Sequence, residues 1–282
     1  MLAGRILLVA FEGWNDATEA ASGALRAISD QLKAQTLEAV DPEDYYDFQF
    51  SRPLLELDDD GNRSLIWPGT ELMQASKEGL KANPGAENLF LLIGTEPSRR
   101  WISFAAEIME MVQDREIDAV VMLGAMLADV PHTRPMPIFK SSQNAAMQQM
   151  FGLEKSKYEG PVGILTVLSQ AFEAEGIPVL SVWGSVPHYV HNTQNPKASL
   201  GFLSELSSLT AMEFDTSALA ETAFEWERSI DEISESDEEM ASYIEQLEAS
   251  RDAYESELAS GDAIARELER FLKDRPEAEG KG

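Results

Sequence analysis

The chain has 282 residues, 44% apolar and 26% charged, enough to bury a sizeable core and too apolar for a disorder-dominated protein. The absence of cysteine excludes a disulfide framework, a thiolate metal site and a cysteine nucleophile. A net charge of −28 repels phosphate backbones and anionic membrane surfaces, so neither nucleic acid nor a membrane is an expected partner.

The opening MLAGRILLVA lacks the basic start and small-residue cleavage site of a signal peptide. The longest apolar runs, NLFLLIG and AVVMLGAML, fall short of the roughly 18–20 residues of a membrane span, and a cytoplasmic protein is expected. GRILLVAF, residues 4–11, is a continuous apolar run and reads as a buried strand. It breaks off into Glu12, Gly13, Trp14, Asn15 and Asp16, and Asn15 or Asp16 opens a helix to about Leu32. Gly13 permits the reversal, Trp14 is expected to fill apolar space beneath the loop, and Asp16 with Glu19 resembles a capping box. Glu12 is left over. An acid directly after a buried strand needs donors, from Arg99, Arg100 or Arg134 as a structural ion pair or from a ligand.

Residues 52–68, RPLLELDDDGNRSLIWP, hold two short runs around Asp-Gly and predict a hairpin or an antiparallel addition to the sheet. Glu56, Asp58, Asp60 and Gly61 fall on positions 1, 3, 5 and 6 of an EF-hand loop. Position 12 is Trp67 where a bidentate Glu belongs, so a solvated turn is the reading and no metal is expected. NLFLLIG (88–94), DAVVMLGAML (118–127), GPVGILTVL (160–168) and IPVLSVWGSV (177–186) read as further buried strands. Between them, helices are predicted from Ser98 over 98–116, at SSQNAAMQQM (141–150) and at SQAFEAEG (169–176). Strand and helix in alternation imply parallel pairing through right-handed crossovers, hence an α/β fold with a sheet covered on both faces.

Near residue 215 the apolar period becomes purely helical. Leu219, Ala223, Trp226, Ile230 and Ile233 define one stripe, Met240, Tyr243, Ile244 and Leu247 a second, and Ile264, Leu268, Phe271 and Leu272 a third. Breaks at 234–237 and at Ser260-Gly261 predict three amphipathic helices, and residues 221–282 hold 20 acids against 7 bases. The expected organisation is an α/β core over 1–214, an acidic all-α subdomain over 215–276 and a disordered tail over 277–282. The helices either dock on the core or form an arm for a partner.

In open α/β sheets ligands sit where the strands end, because loops and helix amino termini converge there. The residues after the apolar runs are Glu12, Asn15 and Asp16; Thr95, Glu96, Arg99 and Arg100; His132, Thr133 and Arg134; and His188 and Tyr189. These twelve are the candidate ligand-binding crevice. Each also has a structural reading: Asp16 as a cap, Glu96 paired with Arg99 or Arg100, Thr133 capping a turn, His188 solvated. Walker A, G-x-G-x-x-G, H-E-x-x-H and G-x-S-x-G signatures are all missing, so no catalytic residue and no cofactor is assigned.

FEGWNDA at 11–17, GTEPSRRW at 94–101, PHTRP at 131–135, VPHYV at 186–190 and NPKAS at 195–199 occur in one order. Together they resemble the actinobacterial branch of the proteasome assembly chaperone 2 family over residues 4 to 210, and the acidic tail resembles that branch's appendage. The resemblance implies a three-layer α/β core of the nucleoside-phosphorylase type, with a mixed, largely parallel sheet, and it implies self-association. Eukaryotic and archaeal relatives act as chaperones for proteasome subunits, some through a C-terminal hydrophobic-Tyr-X docking signal. This sequence ends Glu279-Gly280-Lys281-Gly282, without that signal. The expected function is therefore protein binding of a non-enzymatic, chaperone-like kind by a homo-oligomer. The alternative is a small-molecule enzyme of phosphorylase or hydrolase type. There Arg99, Arg100 and Arg134 would hold an anion while Glu12 or His132 moves protons.

Overall fold

Successive residues of the first apolar run enter two different cores. Ile6, Leu8 and Ala10 join one cluster, Leu7, Val9 and Phe11 the other, because strand side chains alternate between faces. The same alternation separates Leu89 and Leu91 from Phe90 and Leu92, and Val121 and Leu123 from Val120 and Met122. Each run looks continuous in sequence because both faces are covered. The computed structural model describes residues 1–58, 61–153 and 155–273, with side chains described to residue 256.

In chain order the elements are β1 (Ile6–Glu12), α1 (Ala20–Gln31), β2 (Gln35–Ala39), α2 (Pro42–Tyr45), β3 (Leu54–Leu57), β4 (Arg63–Ile66), β5 (Thr70–Gln74), α3 (Lys77–Ala82) and β6 (Leu89–Thr95). There follow α4 (Trp101–Gln113), β7 (Ala119–Ala128), β8 (Ile138–Ser141), α5 (Ala145–Phe151), α6 (Ile164–Ala174), β9 (Val179–Pro187), α7 (Pro196–Thr210), α8 (Ser217–Glu235) and α9 (Glu238–Lys273). Seven strands form one sheet in the order β2-β5-β6-β1-β7-β9-β8. The central β6, β1, β7 and β9 are parallel, while β5, β2 and β8 add antiparallel edges. Leu25 and Ile28 of α1, Met147 of α5 and Phe202 and Leu206 of α7 cover one face. Tyr45 of α2, Phe104 and Ile108 of α4 and Leu168 and Phe172 of α6 cover the other. This is the three-layer, mixed α/β architecture.

Three expectations are corrected. GPVGILTVL forms no strand: α6 starts at Ile164 and runs on through SQAFEA, so two predicted elements are one helix. Ile164, Leu165, Leu168 and Phe172 bury one helical face, and a short apolar run with Gly and Pro at its head does not distinguish that from a strand. Ser98 does not open α4. Its hydroxyl accepts from the Asp47 N–H at 3.2 Å, and the helix begins after Arg100, which is left-handed at φ 57°. The acidic tail forms two helices among the described residues, not three, because α9 continues through Ser260 and Gly261. An interior glycine costs a helix only about 1 kcal/mol.

The hairpin predicted at 52–68 is present as β3–β4, with Leu54 opposite Ile66 and Leu57 opposite Arg63. It stands apart from the main sheet. Asp58 accepts from the Asn62 N–H at 2.7 Å and so closes the turn, while Asp60 lies outside the described residues, as does the tail at 277–282. Helix α8 packs on α7 and α9 on α8, with Leu219 against the core cluster below α1 and α7. Among the described residues no helix is long and apolar enough to cross a membrane.

Candidate functional site

Parallel pairing brings the exits of β6, β1, β7 and β9 to one edge, and Glu12 lies in register beside Thr95. The polar residues there form two separate networks.

The first lies over β1 and β6. Glu12 pairs with Arg26 of α1, a partner the sequence reading missed, and accepts from the Thr95 hydroxyl at 3.3 Å. Glu96 accepts from Asn15 Nδ2 at 2.6 Å and from the Ile164 N–H at 2.9 Å, so one carboxylate takes the donor of a buried amide and the first N–H of α6, while Asn15 Oδ1 has no hydrogen-bond partner among the described residues. Gly163 makes that approach possible, since a Cβ there would lie 2.1 Å from Asn15 Oδ1. Asp16 accepts from the Ala21 and Ser22 N–H groups at 2.7 and 2.9 Å, capping α1 from further back than a capping box allows. A short 3₁₀ turn with Thr18 and Glu19 left-handed intervenes, at φ 61° and 52°. Burial pushes the Asp16 carboxyl above its usual range. Glu19 accepts from Gln194 at 2.7 Å and does not reach back to Asp16. Trp14 is 64% exposed, so it does not fill space beneath the loop. Gly13 does reverse the chain, at φ 106°.

The second network lies over β7 and β9 and is roofed by α8 and α9. The Tyr189 hydroxyl accepts from the His132 N–H at 2.7 Å and sits 2.8 Å from Nδ1, while Nε2 is 3.0 Å from Asp231 Oδ1 of α8. This pattern fits a neutral imidazole that takes a proton bond from Tyr189 and gives one to Asp231. Burial draws the His132 pKa below its ordinary value against the opposing pull of Asp231, and burial pushes Tyr189 up to about 12. Thr133 donates to Glu248 of α9, and Arg134 makes a two-point contact with Asp252 at 2.8 and 2.9 Å. His188 Nδ1 lies 3.2 Å from Asp129, which also accepts from the Tyr243 hydroxyl at 3.3 Å. Lys197 of the NPKAS segment donates to the His132 carbonyl and pairs with Glu227 at 2.7 Å.

Arg99 and Arg100 belong to neither network. Arg99 donates to the Glu43 and Asp44 carbonyls at 2.7 and 3.3 Å, and Arg100 pairs with Asp44 while lying 5.4 Å from the Tyr45 ring centre. Neither meets Glu12 or Glu96. The space left between His132, Pro187, Lys197 and Trp226 is about 10 Å³, room for one water. A wider groove of about 570 Å³ opens between α1, α7 and α8, past Glu19, Arg26, Asn195 and Trp226. Among the described residues no group of three or more His, Asp or Glu side chains is placed to hold a metal.

The model of the PAC2 family matches residues 10–234. The chain belongs to the PAC2 family. This PAC2 family chain is similar to the PAC2 family protein of Streptomyces avermitilis, with 38% identity, a TM-score of 0.74, and 85% of this chain and 99% of that one covered. It is also similar to the proteasome-assembly chaperone homologue of Mycobacterium tuberculosis, with 37% identity, a TM-score of 0.73, and 85% and 99% covered. An archaeal proteasome activator from Pyrococcus furiosus shares the fold, at 15% identity and a TM-score of 0.62, over 82% of this chain and 93% of that one. No curated protein sequence matches the chain.

Proposed function

We propose that this PAC2 family chain acts by binding other proteins, as a non-enzymatic, chaperone-like homo-oligomer of the cytoplasm. The observation that carries the reading is the closure of the strand-end edge. His132 and Arg134, beside a cavity of about 10 Å³, are bonded to Tyr189 and to α8 and α9, while Glu12 and Glu96 are taken up by Arg26, Thr95, Asn15 and the Ile164 N–H. An anion-binding role for Arg134 requires breaking its contacts with Asp252 and Glu248, and Arg99 and Arg100 face α2. The similarity to a mycobacterial proteasome-assembly chaperone homologue makes proteasome subunits the first partners to test.

The test is native mass spectrometry of the purified protein mixed with separately produced proteasome α and β subunits from the same organism. A defined complex, or a faster passage to assembled rings, is expected. If neither a complex nor a change in assembly is seen, the proposal fails. A parallel thermal-shift series with phosphate, nucleosides and nucleotides addresses the enzymatic alternative. A ligand at 100 times its dissociation constant adds about 2.7 kcal/mol of stability, so a flat series counts against that alternative.

A further inference from the structure

We propose that α9 is exchanged between copies of this chain: the helix of one copy seats on the strand-end edge of the other, through a hinge at Ser236 and Asp237. The inference rests on the self-association in the preceding proposal and assigns it an interface.

The seat of α9 is matched to it point by point. Arg134 takes Asp252 at 2.8 and 2.9 Å and Glu248 at 3.3 Å, and Thr133 donates to Glu248. Asp129, the acid of this surface, meets no acid of α9 but the Tyr243 hydroxyl at 3.3 Å. The Tyr243 ring lies 5.7 Å from the His188 ring and 6.2 Å from that of Tyr189, centre to centre. This matching selects the occupant. Two bodies of charge −28 repel each other, so a stable contact between copies needs locally paired groups. A second copy carries the same helix, with the same groups at the same spacing. In the exchanged dimer every contact of α9 is remade, and only the hinge differs.

The hinge is short and close to helical. Helix α8 ends at Glu235 and α9 begins at Glu238. Ser236 between them has right-handed helical angles, φ −84° and ψ −9°, and neither Gly nor Pro stands in 230–243. What bends the chain is Asp237, whose carboxylate caps α9 by accepting from the Glu239 and Met240 N–H groups at 3.0 and 3.1 Å. With that cap open, residues 217–273 run as one helix and α9 leaves its own core. The pair it leaves is partly exposed, Arg134 to 31% and Asp252 to 53%, and such pairs hold weakly. Ile244 and Leu247, buried in the closed form, are uncovered on opening, and the second copy buries them again.

Sedimentation velocity on the full chain at micromolar concentration, with Asp237→Ala beside the unaltered protein, tests the hinge. Both are expected to dimerise, the variant about thirtyfold more tightly, because two closed monomers lose two caps that the exchanged dimer does not use. Equal affinities overturn the exchange and leave self-association standing; monomers in both proteins overturn both. Arg134→Cys/Asp252→Cys locates α9 independently, in a chain otherwise free of cysteine. Treated with a short bis-maleimide, the dimer fraction is expected to yield peptides of positions 134 and 252 joined in a dimer-sized band on a denaturing gel. The same link found only in a monomer-sized band contradicts the exchange.

Discussion

Arg134 and Asp252 face each other through two parallel hydrogen bonds, Nε to Oδ1 at 2.8 Å and Nη2 to Oδ2 at 2.9 Å, across 118 residues of sequence. The pair fastens α9 to the loop after β7. The bond from Arg134 holds the Asp252 carboxyl below its usual range, so the contact stabilises above that range and is lost as pH falls through the lowered value. Both side chains are partly exposed, so the effect is local rather than global. Asp252→Asn is expected to speed amide exchange along residues 239–256 several-fold, leaving the amides of β1 and β7 unchanged. Equal acceleration in the sheet contradicts this.

His132 couples α8 to the core through Asp231, with a fully buried ring. Its folded pKa lies below the unfolded value of about 6.5, so the unfolded chain binds the extra proton more readily. The stability His132 contributes is therefore present above about pH 6.5 and declines as pH falls through the lower folded value. Truncation by His132→Ala leaves Tyr189 and Asp231 without their partner and is expected to destabilise by on the order of 3 kcal/mol in urea denaturation at neutral pH. The slope of stability against pH between about 5 and 7 should be shallower in the variant than in the unaltered protein. Parallel slopes would remove His132 as the titrating group.

Glu96 serves two groups at once, Asn15 and the first N–H of α6. Glu96→Ala is expected to cost about 1–2 kcal/mol in thermal or urea unfolding, within the range of a lost helix cap plus an unpaired buried amide. Glu96→Gln keeps an acceptor oxygen for Ile164 and should lose less. Equal losses in the two variants would mean that the charge, and not the acceptor, matters.

The sheet's centre was legible because strands covered on both faces are apolar without interruption, as in Ile6 to Phe11. The edge strands were not. All of β2 is exposed, and a five-residue run such as Gln35–Ala39 carries no burial signal. The strand-end residues were legible as a group, because parallel pairing alone places Glu12, Thr95 and His132 on one edge. Their partners were not legible. Asp231, Glu248 and Asp252 come from helices about 100 residues later, where acids recur along the helices and nothing in their spacing marks the ones turned inward. Arg26 was missed for a different reason: a base inside an amphipathic helix reads as solvated, yet its side chain reaches back to Glu12.

Gly163 has ordinary backbone angles, φ −96° and ψ −175°, so an alanine there meets no conformational penalty. The obstacle is space. Its Cβ would lie 2.1 Å from Asn15 Oδ1, and Asn15 has nowhere to go: it is 1% exposed and its Nδ2 is held by Glu96 at 2.6 Å. Gly163→Ala is therefore expected to destabilise by about 1–3 kcal/mol through overpacking. Asn15→Ala alone should also destabilise, because it removes a donor from Glu96. Combining the two removes the clash, so the double variant should lose less than the sum of the singles, by about 1 kcal/mol or more in urea denaturation. Strictly additive losses would show that the crowding at Gly163 comes from somewhere other than Asn15, and that the link between the β1 exit and α6 is not as tight as this contact makes it.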